Sequence, residues 1–229
     1  MPLEIACFNL ESALRAHAAG ADRIELCADQ SVGGTTPALT LFTTLKSMIP
    51  MPMPIHVMIR PRGSADFRCT TADLAQMAAD IAAFTRAGAS GFVFGGLSSD
   101  GRVDGDRMRA LVRLAQGRPC TFHRAFDAVA GEQAEEELER VIACGFSALL
   151  TSGGARSAVQ GKEALQRLVA RARGRIEIMV GGGVRSGNVD GLWKATGASW
   201  FHSSAIVDGG EAASAEELRA LRRAMDAGR

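Results

Sequence analysis

The sequence lacks several features that would assign it to a specialised class of protein. Its 26 Lys and Arg residues nearly balance its 25 Asp and Glu residues, so no basic excess indicates a nucleic-acid partner. The apolar runs are short and are interrupted by Pro or Gly, which predicts that no helix spans a membrane. The first residues lack the basic and apolar regions of a signal peptide, so we expect a cytoplasmic protein.

Cysteine is also sparse, and its spacing is uninformative about pairing. The five cysteines are scattered and form no CxxC motif, which argues against a disulfide framework or a structural zinc site. Free thiols agree with a reducing compartment such as the cytoplasm. The 229 residues, of which 47% are hydrophobic and 22% charged, suffice for one large globular domain, predicted to span residues 1–229.

An internal repeat predicts the architecture. Four segments share a helical stretch, a glycine and a β-rich run, and the glycines are Gly20, Gly88, Gly145 and Gly197. A glycine just past a helix supplies the left-handed residue that ends it. Further strands are predicted between these copies at Leu3–Phe8, Ile55–Arg60, Cys120–Arg124 and Ile176–Val180. Eight strands alternating with eight helices predict a single-domain α/β fold, the (β/α)8 TIM barrel, with a doubly wound open sheet as the alternative.

The alternation of side chains along each strand predicts an unusually polar barrel interior. Apolar residues such as Ile24 and Phe92 alternate with polar ones and are assigned outward, under the helices. The inward set then includes Glu25, His56, Arg60, His123, Glu177 and His202. Unpaired buried charges are costly, and a barrel built for stability would use Val, Ile and Leu at these positions. We interpret the set as functional, with a polar layer that only holds the register as the alternative.

The loops at the carboxyl ends of the strands carry the candidate active site, because TIM barrels place their chemistry there. His123 is the predicted general acid or base, Glu25 is its predicted partner, and Arg60 is expected to pair with Glu25. A small phosphate- or carboxylate-bearing substrate is expected to bind through Arg62, Arg124, Asp127, Ser152, Gly182, Gly183, His202, Ser203 and Ser204. The alternative for the glycines is a tight turn without a ligand.

A soft metal ion is the other candidate ligand. The inward positions include Cys27, Met58 and Met179, and a thiolate with thioethers suits Cu(I). The competing interpretation is that these side chains simply fill the core, as buried Met and Cys often do. Cys27 is therefore the predicted metal ligand if the chain binds copper.

Seven segments together resemble the copper homeostasis protein CutC family over almost the whole chain. They are ESALRAHAAGADRIELCA (Glu11–Ala28), GGTTP (Gly33–Pro37), VMIRPRG (Val57–Gly63), TFHRAFD (Thr121–Asp127), LTSG (Leu150–Gly153), GGGV (Gly181–Val184) and FHSSA (Phe201–Ala205). The resemblance implies a cytoplasmic (β/α)8 barrel that forms a homo-oligomer, a dimer or tetramer. It also implies a role in copper homeostasis, with Cu(I) bound through cysteine.

The first strand departs from this family. Ala6 stands where the family has a cysteine, and Cys7, one residue along, faces the opposite side. The thiolate pair that the resemblance implies with Cys27 is therefore incomplete, and Cu(I) binding is expected to be weak. Two functions stay open: a copper-handling protein, and an enzyme of unknown reaction acting on a small anionic substrate.

Overall fold

The computed structural model describes residues 1–49, 53–129, 131, 133–207 and 209–227. Within these ranges, eight parallel strands pair in sequence order and close into a barrel, and a helix follows each strand. The strands are β1 Leu3–Cys7, β2 Arg23–Leu26, β3 Ile55–Met58, β4 Gly91–Phe94, β5 Cys120–Phe122, β6 Ala148–Thr151, β7 Glu177–Val180 and β8 Trp200–Ser203. The helices are α1 Leu10–Ala18, α2 Leu39–Met48, α3 Thr71–Ala87, α4 Gly105–Leu114, α5 Ala134–Cys144, α6 Lys162–Ala172, α7 Val189–Thr196 and α8 Ala215–Ala227.

The closed barrel confirms the predicted fold class and rules out the open sheet, since β1 pairs with β8. The glycines of the repeat act as predicted. Gly20, Gly88, Gly145 and Gly197 all have positive φ, between 68° and 91°, at the point where a helix ends and the chain turns into the next strand. No helix among the described residues is both long enough and apolar enough to cross a membrane.

The alternation along the strands produces two separate apolar layers. The outward side chains, among them Ile24 and Phe92, pack under the helices in one large core. Inside the barrel, a small cluster of Cys27, Met58 and Val93 packs against Phe8. The remaining interior combines predicted polar side chains, such as Glu25 and His56, with apolar ones such as Leu150 and Met179.

Two strands end two residues earlier than predicted, and this places two candidate residues in loops; β1 ends one residue early, at Cys7. β5 ends at Phe122, because His123 leaves the sheet and caps a 3₁₀ helix over Arg124–Ala128. β3 ends at Met58, so Arg60 lies in the loop that follows. Glu177, at the amino end of β7, accepts a hydrogen bond from Ser199 and belongs to the opposite end of the barrel from these loops.

Candidate active site

A cavity of about 440 Å³ opens at the carboxyl ends of the strands. Its polar lining combines acidic, basic and imidazole side chains: Glu25, Arg60, His123, Arg124, Asp127 and His202. Its apolar lining includes Phe8, Val32, Met58, Phe67 and Leu150. A concave site of this size, with few polar groups converging on it, is typical of small-molecule binding sites.

A network of two glutamates, an arginine and a histidine reaches the cavity through Glu25 and His202. Glu4 on β1 is fully buried and forms an ion pair with Arg23 at 2.5 Å. Nδ1 of His202 lies 2.8 Å from Glu4 Oε1, and its Nε2 lies 3.6 Å from Glu25 Oε2. The strand register explains the proximity, because Glu4 is paired with both Arg23 and His202. An ionised carboxylate only accepts, so Nδ1 of His202 carries a proton and Nε2 faces Glu25.

The two glutamates of this network have opposite protonation behaviour. Burial acts to raise the pKa of Glu4, but Arg23 and His202 outweigh it and hold this pKa at about 2. Burial raises the pKa of Glu25 to about 7, although the charge of His202 opposes the shift. For His202, burial acts to lower the pKa, and the hydrogen bond to Glu4 with the charge of Glu25 raises it overall. Glu25 is thus the carboxyl group able to gain and lose a proton near neutral pH.

His123 has a different environment from His202. Its Nδ1 accepts a hydrogen bond from the Ala125 N–H at 3.2 Å, and its ring packs edge-on against Phe67 with centroids 5.4 Å apart. Burial and then the positive charge of Arg60 lower the pKa of His123 to about 3. Its Nε2 is buried and has no hydrogen-bond partner within the described ranges. His123 and Glu25 line the same cavity, but the hydrogen bonds of the described residues include none between them.

The expected pairing of Arg60 with Glu25 was wrong. The Arg60 guanidinium donates instead to three backbone carbonyls, of Val32, Gly34 and Ser64, at 2.8–2.9 Å. These carbonyls belong to the loops after β2 and β3, which fold over the end of the barrel. The guanidinium also lies 4.8 Å above the ring of Phe67. Arg60 therefore ties the two loops together while one of its faces lines the cavity.

Phe67, which contacts both Arg60 and His123, adopts an unusual backbone conformation. Its φ is +53°, in the left-handed region that residues with a Cβ rarely occupy. Its carbonyl accepts a hydrogen bond from Leu97 N–H, and its own N–H donates to the Ser64 carbonyl. Strained residues of this kind concentrate at functional sites. In this conformation the Phe67 ring lines the cavity and contacts Arg60 and His123.

Several of the predicted anion-binding residues meet beside the cavity. Arg124 donates to Asp127 at 2.7 Å and to Ser152 at 2.9 Å. Asp127 also accepts hydrogen bonds from the hydroxyl of Thr151 and from the backbone N–H groups of Ser152 and Gly154. The Arg124 side chain is still 41% exposed, so one part of the guanidinium stays open to a ligand.

The glycine loop after β7 lies against this cluster. A Cβ on Gly182 would lie 2.9 Å from the Cβ of Ser152 and 3.3 Å from Cζ of Arg124, so only glycine permits the approach. Gly182 and Gly183 have φ of +94° and +79°. Their carbonyls accept hydrogen bonds from Ala158 and Asn188. Their N–H groups find no acceptor in the part of the chain that the structure describes.

Three predicted anion ligands do not join this cluster. His202 lies in the network with Glu4 and Glu25 instead. The hydroxyl of Ser203 is buried in the outer layer, where it donates to the Val184 carbonyl at 2.7 Å and accepts from Arg185. Arg62 is half exposed and lies outside the cavity, where it forms an ion pair with Asp73 at the start of α3. Ser204 follows β8 and is half buried, and its hydroxyl accepts a hydrogen bond from the Ile206 N–H at 3.4 Å.

Among the described residues inside the barrel, one thiol and one thioether, those of Cys27 and Met58, pack together with Val93. Cys27 and Met58 both lie beside Gly34. A Cβ on Gly34 would lie 3.5 Å from Cys27 Sγ and 3.4 Å from Met58 Cε. Burial, and next the charge of Glu25, raises the pKa of the Cys27 thiol well above its usual value. Cys7 packs in the outer core, on the opposite face of its strand from Ala6. The residues therefore fit a paired-thiolate copper site poorly.

Glu4 and Arg23 are the functional-site residues that the sequence interpretation missed. The signal was available in the alternation of β1, where Glu4, Ala6 and Phe8 share one face and Leu3, Ile5 and Cys7 the other. The same alternation places Arg23 on the face of Glu25. Their pairing depends on the register between strands, which no single strand encodes.

The fold and this cavity define the chain as a (β/α)8-barrel protein with a candidate active site at the carboxyl ends of its strands. A sequence model of the CutC family matches residues 1–207. The chain is 41% identical over 203 residues to the copper homeostasis protein cutC homolog of Homo sapiens, covering 89% of this chain and 72% of the relative. A CutC family protein of Porphyromonas gingivalis is 43% identical over 204 residues, or 89% and 80% of the two chains. The chain therefore belongs to the CutC family.

Solved structures agree with this assignment. The putative copper homeostasis protein CutC from Streptococcus agalactiae superposes with a TM-score of 0.84 at 30% identity, covering 89% of this chain and 98% of that one. The phosphoribosyl anthranilate isomerase from Thermus thermophilus has a TM-score of 0.64 at 16% identity and covers both chains fully. The second similarity concerns the fold alone.

Proposed function

We propose that this chain is an enzyme that acts on a small phosphate- or carboxylate-bearing molecule bound in the 440 Å³ cavity. The observation that carries the proposal is that a proton-transfer group and an anion-binding group line the same cavity. A buried carboxyl group with a pKa of about 7, Glu25, lies on the floor. An incompletely satisfied arginine, Arg124, lies at the side of the same cavity. A proton-transfer group and an anion-binding group in one cleft are the elements of acid–base catalysis on an anionic substrate.

The anion is proposed to bind between Arg124 and the N–H groups of Gly182 and Gly183. Free backbone N–H groups in a glycine turn form a concavity that suits an anion. The loops after strands 7 and 8 are also where many TIM barrels bind phosphate. Asp127 accepts from the Nε–H of Arg124 and Ser152 accepts from its Nη2, so the remaining N–H groups of the guanidinium can face a ligand. The hydroxyl of Ser204 is a further donor at this end of the barrel.

Binding of 2-phosphoglycolate, which carries both a phosphate and a carboxylate, tests the proposal by calorimetry. Replacing Arg124 by Gln removes a charge-assisted hydrogen bond, for which about 1.5–3 kcal/mol is typical, so affinity should fall about tenfold to a hundredfold. Arg62→Gln is the matched control, because Arg62 lies outside the cavity and should leave affinity unchanged. Failure of the wild-type protein to bind 2-phosphoglycolate or inorganic phosphate would contradict the proposal, as would equal losses in both variants.

Copper handling is the second candidate function, favoured by the names of the human and streptococcal relatives. In this chain Cys27 would be the Cu(I) ligand, with Met58 as its neighbour at Gly34. One thiol with one thioether suits Cu(I) in ligand type but lacks a second thiolate. Copper that stays bound through dialysis and disappears in Cys27→Ser would favour this candidate over the enzyme.

A further inference from the structure

The tautomer of His123 narrows the class of reaction. Nδ1 of His123 accepts from the Ala125 N–H, so the ring proton of the neutral imidazole must sit on Nε2. That N–H is buried and unpartnered among the described residues, although His123 lines the cavity. Buried donors are nearly always satisfied in native proteins, and one at a cavity wall is a position where a ligand acceptor is expected.

Glu25 has an acceptor atom that lacks a hydrogen-bond partner among the described residues. Its Oε2 lies 3.6 Å from His202, but its Oε1 is buried without a hydrogen-bond partner in the described part of the chain. The side chain is only 2% exposed and lines the cavity floor. Among the described residues, the cavity therefore presents one carboxylate oxygen and one imidazole N–H that have no hydrogen-bond partner.

We infer that the substrate is an anionic carbonyl compound and that the reaction is proton transfer at the carbon next to its carbonyl group. This inference rests on the proposed function. The Glu25 carboxylate removes a proton from that carbon, and the C–H electron pair forms the C=C bond of an enolate. The carbonyl π electrons move to oxygen, where the Nε2–H of His123 donates a hydrogen bond. The proton on Glu25 then exchanges with solvent, and return of a solvent proton to the same carbon completes the reaction without an oxidant, a reductant or a cofactor. Its net result is exchange of that C–H hydrogen with solvent.

A neutral imidazole suits this role better than a charged one. Its Nε2–H can stabilise a developing oxyanion without first losing a proton to solvent, and enzymes are known to keep such a histidine neutral for this purpose. His123 is then a hydrogen-bond donor rather than the general acid or base expected from the sequence. His202 and Glu4 act as positioning residues, since they contact Glu25 or each other and not the reacting atoms.

Deuterium exchange tests the inference. The full-length protein as purified is incubated in D₂O with one of two probes. Dihydroxyacetone phosphate is the phosphate-bearing probe, and 2-oxobutanoate is the carboxylate-bearing probe. Loss of the C–H signal next to the carbonyl is followed by NMR. We expect exchange above the buffer rate with at least one probe, falling about 10²–10⁴-fold in Glu25→Gln. In His123→Asn, which keeps an oxygen able to cap the 3₁₀ helix, we expect a fall of about 10²–10³-fold. Arg62→Gln should retain the wild-type rate.

Two outcomes would overturn the inference. The first is that neither probe exchanges while 2-phosphoglycolate still binds, which would reject the inference but leave the proposed function standing. If exchange and 2-phosphoglycolate binding are both absent, the inference and the proposed function are both rejected. The other is exchange that persists in Glu25→Gln. A further measurement uses only the wild-type protein and does not depend on turnover, so it tests the inference even if a variant fails to fold. The ¹⁵N spectrum of wild-type His123 should show the Nε2–H tautomer unchanged from pH 7 to pH 5, and an imidazolium at pH 6 would refute the inference that His123 is a neutral donor.

Discussion

The Glu25→Gln substitution gives a test of the site that needs no substrate. Glu25 is buried, and its pKa is about 7 in the folded protein against an ordinary value of 4.5. The folded protein therefore binds more protons than the unfolded chain between pH 4.5 and 7. Stability contributed by this residue is fully present below pH 4.5 and falls as the pH rises towards 7. Glutamine keeps the shape of the side chain but cannot ionise, so the variant should lose this dependence.

The size of the effect follows from the pKa difference. A rise from 4.5 to about 7 corresponds to about 3 kcal/mol of unfolding free energy, most of which should appear between pH 5 and 8.5. Urea unfolding at several pH values measures it. The wild-type free energy minus that of Glu25→Gln should decrease by about 2–3 kcal/mol from pH 5 to pH 8.5.

The His123→Asn variant is the internal control because its dependence has the opposite sign. The pKa of His123 is lowered to about 3, so the unfolded chain binds the extra proton between pH 3 and 6.5. The wild-type free energy minus that of His123→Asn should rise with pH across this window and be flat above it. A difference for Glu25→Gln that is flat, or that rises with pH, would refute the account of Glu25 as a carboxyl group whose pKa is raised by burial.

Three further substitutions test the barrel interior. Glu4→Gln removes the counter-charge of Arg23 and should destabilise the fold by about 3–5 kcal/mol in urea unfolding. The control is Glu11→Gln, in an exposed pair on α1, which should change stability by less than about 1 kcal/mol in the same assay. Gly91→Ala should cost about 1–3 kcal/mol in thermal unfolding, because the new Cβ would lie 2.4 Å from Nε2 of His56; an unchanged melting temperature would show that the ring moves freely. Ala6→Cys adds a thiol on the inward face, so Cu(I) competition titration should show tighter binding than the wild type; equal affinity would show that this position and Cys27 do not form one site.

The sequence by itself determined the barrel and its two faces. The repeated helix, glycine and strand units predict eight parallel strands, and the side-chain alternation within each strand separates Ile24 and Phe92 from Glu25 and His56. Both signals are local, since a helix end depends on one glycine and a strand face depends on a period of two residues. The predicted inward position of Glu25 and the predicted presence of His123 and Arg124 at the carboxyl ends agree with the cavity lining.

Only the tertiary structure decided which of these residues interact. Arg60 bonds to carbonyls 4 to 28 positions away because the loops after β2 and β3 fold over the same end of the barrel. Glu4 meets His202 across 198 positions because barrel closure pairs the first strand with the last. The protonation behaviour of Glu25 follows from that network and from burial, neither of which a local pattern specifies. Side-chain direction is set by the strand itself, whereas the partner of a charge is set by how distant loops and strands are brought together.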